Sequence, residues 1–281
     1  MATEPSIAGL DAQAHRHVVP SARGNVVWRR FGDGEPLVLL HGGHGRWTHW
    51  ARNIPAWAAR YSVWVPDLPG YGESDQPGAP TLDTLVAATS ETLDALVGAS
   101  TPIRLAGFSF GGLVAAHLAA RRRGVTQLAL LGPAGHGGPR RPRGALRPWK
   151  DLAAGSAARA EAMRHNLLMH MLHEPQAIDA MALTIHTDAC ERTRFHSKSI
   201  SLAGGLGTAL DAHEGDLLLA LGEHDVTLTP EAVARVVTGG RSHRRVEMLP
   251  GAGHWVQYEA AGQVNRLLLA WLDEGNAQRR P

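Results

Sequence analysis

Ser109, Asp225 and His254 are residues whose types could together perform covalent chemistry: a hydroxyl nucleophile, a carboxylate and an imidazole. A serine hydroxyl is a poor nucleophile at neutral pH, so an imidazole must take its proton during attack and later return it to the leaving group. A carboxylate behind the imidazole holds its tautomer and stabilises the imidazolium. The serine lies in Gly107-Phe108-Ser109-Phe110-Gly111, the carboxylate in Gly222-Glu223-His224-Asp225, and the imidazole in Gly251-Ala252-Gly253-His254-Trp255. In a chain with 32 glycines the pentapeptide alone says little, since it also fits an ordinary strand-to-helix connection with a capping serine.

The elements around these residues give the pattern its weight. Ile103 to Ala106 reads as a short buried strand and Gly112 to Ala120 as a helix, so Ser109 falls at the turn between them. A turn that sharp leaves no room for side chains at Gly107 and Gly111, and it presents the seryl oxygen beside free helix N–H groups. Apolar runs at 217–221 and 246–249 deliver Asp225 and His254 beyond their own C-terminal ends. Three strand ends on one rim are a far stronger signal than the pentapeptide. Glu223 is an alternative carboxylate, with Asp225 preferred as the shorter side chain at the loop apex.

A developing oxyanion needs donors. The strand at 37–40 ends in His41-Gly42-Gly43 and is expected beside the nucleophile strand, so the backbone N–H groups of Gly43 and Phe110 are the candidate oxyanion hole. His41 is expected to hydrogen-bond within its loop. Gly42, Phe108, His186 and Trp255 are the candidate substrate-pocket residues.

Along the rest of the chain, strands are expected at 17–19, 26–31, 62–66 and 125–131, following a mobile start. Helices are expected at 47–60 with an interruption at Pro55, at 81–97, and at 256–272. The alternation implies an α/β fold with a mainly parallel sheet covered on both faces. It stops near Ala134 and resumes near Asp216, with helical sequence at 157–173 and 176–198. The expected organisation is therefore a core of residues 17–133 and 216–275 with a helical cap inserted at 134–215.

Composition excludes several classes. In 281 residues, 44% hydrophobic and 19% charged, 28 basic side chains nearly balance 26 acidic ones, which does not suggest a nucleic-acid partner. The arginine-rich stretch at 140–150 reads first as a solvated loop and second as a gate for anionic substrates. A single cysteine, Cys190, excludes an intrachain disulfide. No leader-like N-terminus and no long apolar run stand out, so a cytoplasmic protein with no membrane partner is expected. Of the cap histidines, His170 and His173 would share a helix face, but without an H-E-x-x-H pattern no metal centre is expected.

Together, His41-Gly42-Gly43, Asp67-Leu68-Pro69-Gly70-Tyr71-Gly72-Glu73-Ser74, Gly107-Phe108-Ser109-Phe110-Gly111-Gly112, Gly222-Glu223-His224-Asp225 and Gly253-His254 resemble the α/β-hydrolase superfamily over about residues 25–275. The resemblance implies an eight-stranded, mostly parallel sheet with one antiparallel strand, a helical lid, and no metal or organic cofactor. Serine at position 109 separates the chain from the haloalkane-dehalogenase and epoxide-hydrolase branches, which carry aspartate there. His41 to Gly45 and His254-Trp255 are similar to the carbon–carbon hydrolases of aromatic ring-fission products. Those enzymes usually have asparagine where this chain has Phe108, and arginine in the cap near His186; Arg192 and Arg194 are the nearby substitutes.

The expected activity is hydrolysis of a small ester or related carbonyl compound through an acyl-enzyme. Carbon–carbon hydrolysis of a 2-hydroxy-6-oxo-dienoate is the alternative, and a non-catalytic small-molecule binding protein is the alternative of another class. The expected partner is a small-molecule substrate, with a homodimer left open.

Overall fold

A computed structural model describes residues 6–278. Eight strands form one sheet: β1 (His15–Val19), β2 (Val26–Phe31), β3 (Pro36–Leu40), β4 (Ser62–Asp67), β5 (Ile103–Phe108), β6 (Val125–Leu131), β7 (Asp216–Gly222) and β8 (Arg244–Leu249). Their order is β1-β2-β4-β3-β5-β6-β7-β8. β2 runs antiparallel to both neighbours and every other pairing is parallel, so β3, β5, β7 and β8 all end at the same edge.

The central strands are apolar throughout because both faces are covered. Successive residues point to opposite sides, and each side has its own core. Val38, Leu40, Leu105, Leu217 and Leu219 belong to one cluster, whereas Leu37, Leu39, Ala106, Leu218 and Ala220 belong to the other.

The helices, in chain order, are α1 (Ile7–Gln13), α2 (Ile54–Ala58), α3 (Leu82–Val97), α4 (Phe110–Arg121), α5 (Ala157–His170), α6 (Ala180–Glu191), α7 (Lys198–Ala203), α8 (Leu206–Asp211), α9 (Pro230–Thr238), α10 (Val256–Glu259) and α11 (Ala261–Gln278). Residues of α3, α4, α8 and α9 share the first core, and those of α10 and α11 share the second. Side-chain caps mark several starts: Thr81 and Thr84 form a reciprocal capping box on α3, while Ser156 and Asp179 cap α5 and α6. Among the described residues, no helix is long and apolar enough to cross a membrane.

Several local expectations are corrected. The start of the chain, expected to be mobile, forms α1 from Ile7, with Ser6 capping Gly9 N–H and Leu10 buried; Met1 to Pro5 lie outside the described residues. Pro55 does not interrupt a helix but opens one, in the first turn of α2, where its missing N–H costs nothing. Before it, Trp47–Trp50 is a short 3-10 turn. The helix expected at 256–272 is two, because the backbone leaves helical angles at Ala260 (φ −106°, ψ 36°). The stretch 176–198 is not one helix: after a 3-10 turn at Pro175–Ala177 it is α-helical over α6, and α7 begins only at Lys198, since Thr193 to Ser197 wraps back onto the loop after β4, with Arg194 and Phe195 N–H donating to Gly70 O.

Residues 134–215 hold α5 to α8. Leu167, Met171, Ala182 and Ile185, from α5, its C-terminal end and α6, join the second core. α8 does something different: Leu206, Ala209 and Leu210 pack in the first core with residues of α4, as a sheet-flanking helix does.

Candidate active site

Ser109 follows β5 with φ 53° and ψ −118°, a positive φ that a non-glycine residue adopts only when its surroundings hold it there. Those surroundings are crowded backbone. A Cβ at Gly107 would stand 2.4 Å from the Gly111 carbonyl oxygen, and one at Gly111 would stand 2.3 Å from the His41 carbonyl oxygen. Both positions therefore require glycine, and the tight turn leaves Ser109 on the wall of a cavity.

His254 Nε2 lies 2.9 Å from Ser109 Oγ, and its Nδ1 lies 2.8 Å from Asp225 Oδ2. An ionised carboxylate only accepts, so Nδ1 carries the proton and Nε2 is free to take the one on Ser109. Asp225 is fully buried. Burial alone would raise its pKa, but the His254 charge and the hydrogen bonds from His254 and Thr227 outweigh it and hold the carboxyl below the usual aspartate range. Glu223, the other carboxylate considered, points elsewhere and accepts from Gly251 N–H at 2.9 Å.

Thr227 is the residue that sequence reasoning missed. Its N–H and its hydroxyl both donate to Asp225 Oδ1 at 2.7 Å, and the hydroxyl lies 3.0 Å from His254 Nδ1. The signal available was a hydroxyl two residues beyond a carboxylate, the spacing of a local side-chain-to-backbone turn.

Gly43 and Phe110 stand with Ser109 on the wall of a cavity of about 270 Å³. Neither amide has a hydrogen-bond acceptor among the described residues, and Phe110 is the first residue of α4, where helix N–H groups are free. His41 buttresses this loop from behind. Leu68 N–H donates to its Nε2 at 2.9 Å, so its Nδ1 carries the proton and donates to Gly42 O at 2.8 Å. Complete burial pushes its pKa down to about 4, which keeps it neutral.

The four candidate pocket residues separate. Phe108 and His186 line the cavity. Gly42 lies behind the wall, packed where a Cβ would meet the Phe108 ring at 3.0 Å. Trp255 is fully buried, stacked on Tyr258 and donating from its indole to His49 O, so it supports the loop of His254 from the core side. Arg192 and Arg194 do not reach the cavity either. Arg192 pairs with Asp188, and Arg194 donates to the carbonyls of Gly72 and Ser74.

Behind the site, Asp67 organises the loops. Its buried carboxylate accepts from Trp47 N–H and Glu73 N–H at 2.9 and 3.0 Å. Arg46 joins Glu73 at 3.0 Å and also pairs with Asp188 of α6, tying the Gly43 loop to the inserted helices. Among the described residues, no group of three or more His, Cys, Asp or Glu side chains is placed to hold a metal.

The sheet order, the turn at Ser109 and the strand-end placement of Asp225 and His254 define a class. Residues 37–267 match the alpha/beta hydrolase family, and the chain belongs to that family. It is 34% identical over 258 residues to the dihydrolipoyllysine-residue acetyltransferase component of an acetoin cleaving system from Pseudomonas putida, a match covering 85% of this chain. That match spans 64% of the relative, so the chain accounts for less than two thirds of its length. It is 28% identical to a 2-hydroxy-6-oxo-6-phenylhexa-2,4-dienoate hydrolase of Burkholderia cepacia, over 87% of this chain and 90% of that one. Naproxen esterase from Bacillus subtilis has the same fold, with a TM-score of 0.73 at 20% identity over 92% of this chain and 91% of that one.

Proposed function

We propose that the protein is a serine hydrolase that cleaves a small ester or related carbonyl compound through an acyl-enzyme. The observation that carries this reading is the hydrogen-bonded series Asp225–His254–Ser109, at 2.8 and 2.9 Å, opening onto a cavity beside two amides without acceptors.

His254 Nε2 takes the Ser109 proton as Oγ adds to the substrate carbonyl. The carbonyl oxygen becomes an oxyanion held by Gly43 and Phe110 N–H, each contributing about 3 kcal/mol to the transition state. The intermediate collapses, the bond to the leaving group breaks, and the proton on Nε2 passes to the departing oxygen. A water molecule then repeats the sequence on the acyl-serine, with His254 taking its proton and returning it to Ser109 as the acid leaves. Asp225 stays ionised throughout and stabilises the imidazolium.

Carbon–carbon hydrolysis is the second reading, favoured by the likeness to the Burkholderia cepacia enzyme. The phenyl ring of Phe108 on the cavity wall, and a neutral His186 near where the resemblance implies an arginine, weigh toward the ester.

Turnover of p-nitrophenyl acetate and butyrate tests the first reading. Ser109→Ala is expected to lower kcat by roughly 10⁴-fold or more and to abolish labelling by a fluorophosphonate. Turnover that survives the substitution would remove Ser109 as nucleophile. Absence of both turnover and labelling in the wild type would favour a binding protein. A preference of several orders of magnitude for a ring-fission dienoate over short esters would favour the second reading.

A further inference from the structure

The charge around the cavity is one-sided. Among the described residues, its wall carries Arg140, Arg143 and Lys198 and no Asp or Glu side chain. Four of the wall histidines add little positive charge. Burial holds His44 and His136 below the ordinary imidazole value, and takes His170 down to about 3 and His186 down to about 4.

The arginines are also uncommitted. The Arg140 guanidinium makes one long contact, 3.4 Å to Ser201 O, and that of Arg143 reaches only Gly144 O in its own loop at 3.4 Å. Elsewhere on the chain many arginines are matched with carboxylates, as in Arg46–Glu73, Arg52–Asp179 and Arg159–Glu191, and others, such as Arg194 and Arg244, donate to two or more carbonyls. Asp225 attracts Arg140 through space, but its oxygens are occupied by His254 and Thr227. Burial lowers the Arg140 pKa from the usual arginine value, and a guanidinium keeps its charge in proteins.

The three cations converge from separate segments: Arg140 and Arg143 come from the loop after β6, and Lys198 opens α7. Charge interactions place Arg140 near His136 and Arg143 near His170, both on the cavity wall. All three side chains remain exposed at the mouth.

We propose that Arg140 and Arg143, assisted by Lys198, form an anion subsite at the mouth of the cavity, which binds a carboxylate carried by the substrate away from the scissile carbonyl. A guanidinium offers a planar pair of N–H donors that matches a carboxylate edge to edge, and a mouth without competing carboxylates leaves those donors for the ligand. A cavity of about 270 Å³ has room for a compact acid ester. The subsite refines the serine-hydrolase reading and rests on it for the reacting end only.

Monoethyl glutarate and ethyl pentanoate test the assignment, since they share the ester and the chain and differ in a carboxylate in place of a methyl group. Wild-type kcat/KM is expected to favour monoethyl glutarate by roughly tenfold or more at low salt, with the preference shrinking as salt screens the exposed cations. Arg140→Gln combined with Arg143→Gln is expected to collapse that ratio toward one, while the paired lysine substitutions keep part of it. Equal use of the two esters by the wild type, or a ratio that survives the glutamine pair, overturns the proposal.

Two further measurements separate its failure from that of the catalytic reading. Calorimetry on Ser109→Ala is expected to show tighter binding of monoethyl glutarate than of ethyl pentanoate whether or not the wild type turns either over; equal binding overturns the subsite. Glutarate is expected to inhibit neutral-ester turnover more strongly than inorganic phosphate at the same concentration. The reverse order would overturn the carboxylate assignment.

Discussion

Thr227 illustrates how much of the proposed catalytic arrangement rests on a residue assigned no chemistry. Its hydroxyl and N–H occupy Asp225 Oδ1, which turns Oδ2 toward His254. Thr227→Val keeps the shape and the backbone donor but removes the hydroxyl. It is expected to lower kcat/KM for p-nitrophenyl butyrate by roughly tenfold, the scale of one lost hydrogen bond to a charged group. Thr227→Ser should restore most of it. A valine variant as active as the wild type would reduce Thr227 to packing. At the same scale, the two oxyanion candidates were legible because only backbone is needed there, and Gly43 and the residue after Ser109 follow from the motif. The division between Asp225 and Glu223 rested on side-chain length alone; what separates them is that Glu223 is engaged by the Gly251 amide.

The elements carrying the site are fastened to one another at points that no local pattern announces. Glu259, at the end of α10, accepts from Gly253 N–H at 2.6 Å, from His173 N–H at 2.9 Å and from Glu174 N–H at 2.7 Å. One carboxylate thereby joins the loop of His254 to the turn that follows α5, and Trp255 N–H donating to Met171 O at 2.7 Å repeats the connection. Glu259→Gln replaces an ionised acceptor of three amides with a neutral one. Stability is expected to fall by about 2 kcal/mol, with faster hydrogen exchange at residues 173, 174 and 253. Unchanged exchange at those amides would show that the Trp255–Met171 contact suffices. A second fastening runs through Arg52, which pairs with Asp179 at the start of α6 and lies over the Tyr258 ring at 3.9 Å.

The whole molecule buries several neutral imidazoles, and this shapes its response to acid. Burial takes His41 and His186 down to about 4 and His170 to about 3, and pushes His49 well below the ordinary value. Unfolding returns these rings to water, where they bind protons below about pH 6.5. Between that pH and their folded values the unfolded chain holds more protons, so stability falls as pH drops, by up to about 1.4 kcal/mol per pH unit for each ring. Asp225, Glu73 and Asp188, whose folded pKa values are depressed, add a loss at lower pH, as pH falls below the ordinary carboxylate values. Urea midpoints should therefore decline from pH 7 to pH 5, before the carboxylates titrate, and His186→Gln should make the decline shallower. A midpoint constant over that range would contradict the burial of these rings as neutral groups.

The sequence by itself determined what depends on local chemistry and period: the apolar runs that become parallel strands, the glycine-bounded turn at Ser109, and the strand-end positions of Asp225 and His254. Such features were legible because each is dictated within a few residues by sterics or by burial on two faces. α9 has local signals as well, in Thr229, Pro230 at its first turn and Gly239 beyond its end, but its amphipathic pattern is short and lies between two strands. Tertiary structure alone decided the lining of the cavity. It put Trp255 and Gly42 behind the wall, gave Arg192 and Arg194 partners elsewhere, and brought Arg140 and Arg143 to the mouth. The reason is physical: a side chain's partners across the insertion depend on how residues 134–215 lie over the sheet edge, a long-range packing outcome that hydrophobic period does not encode.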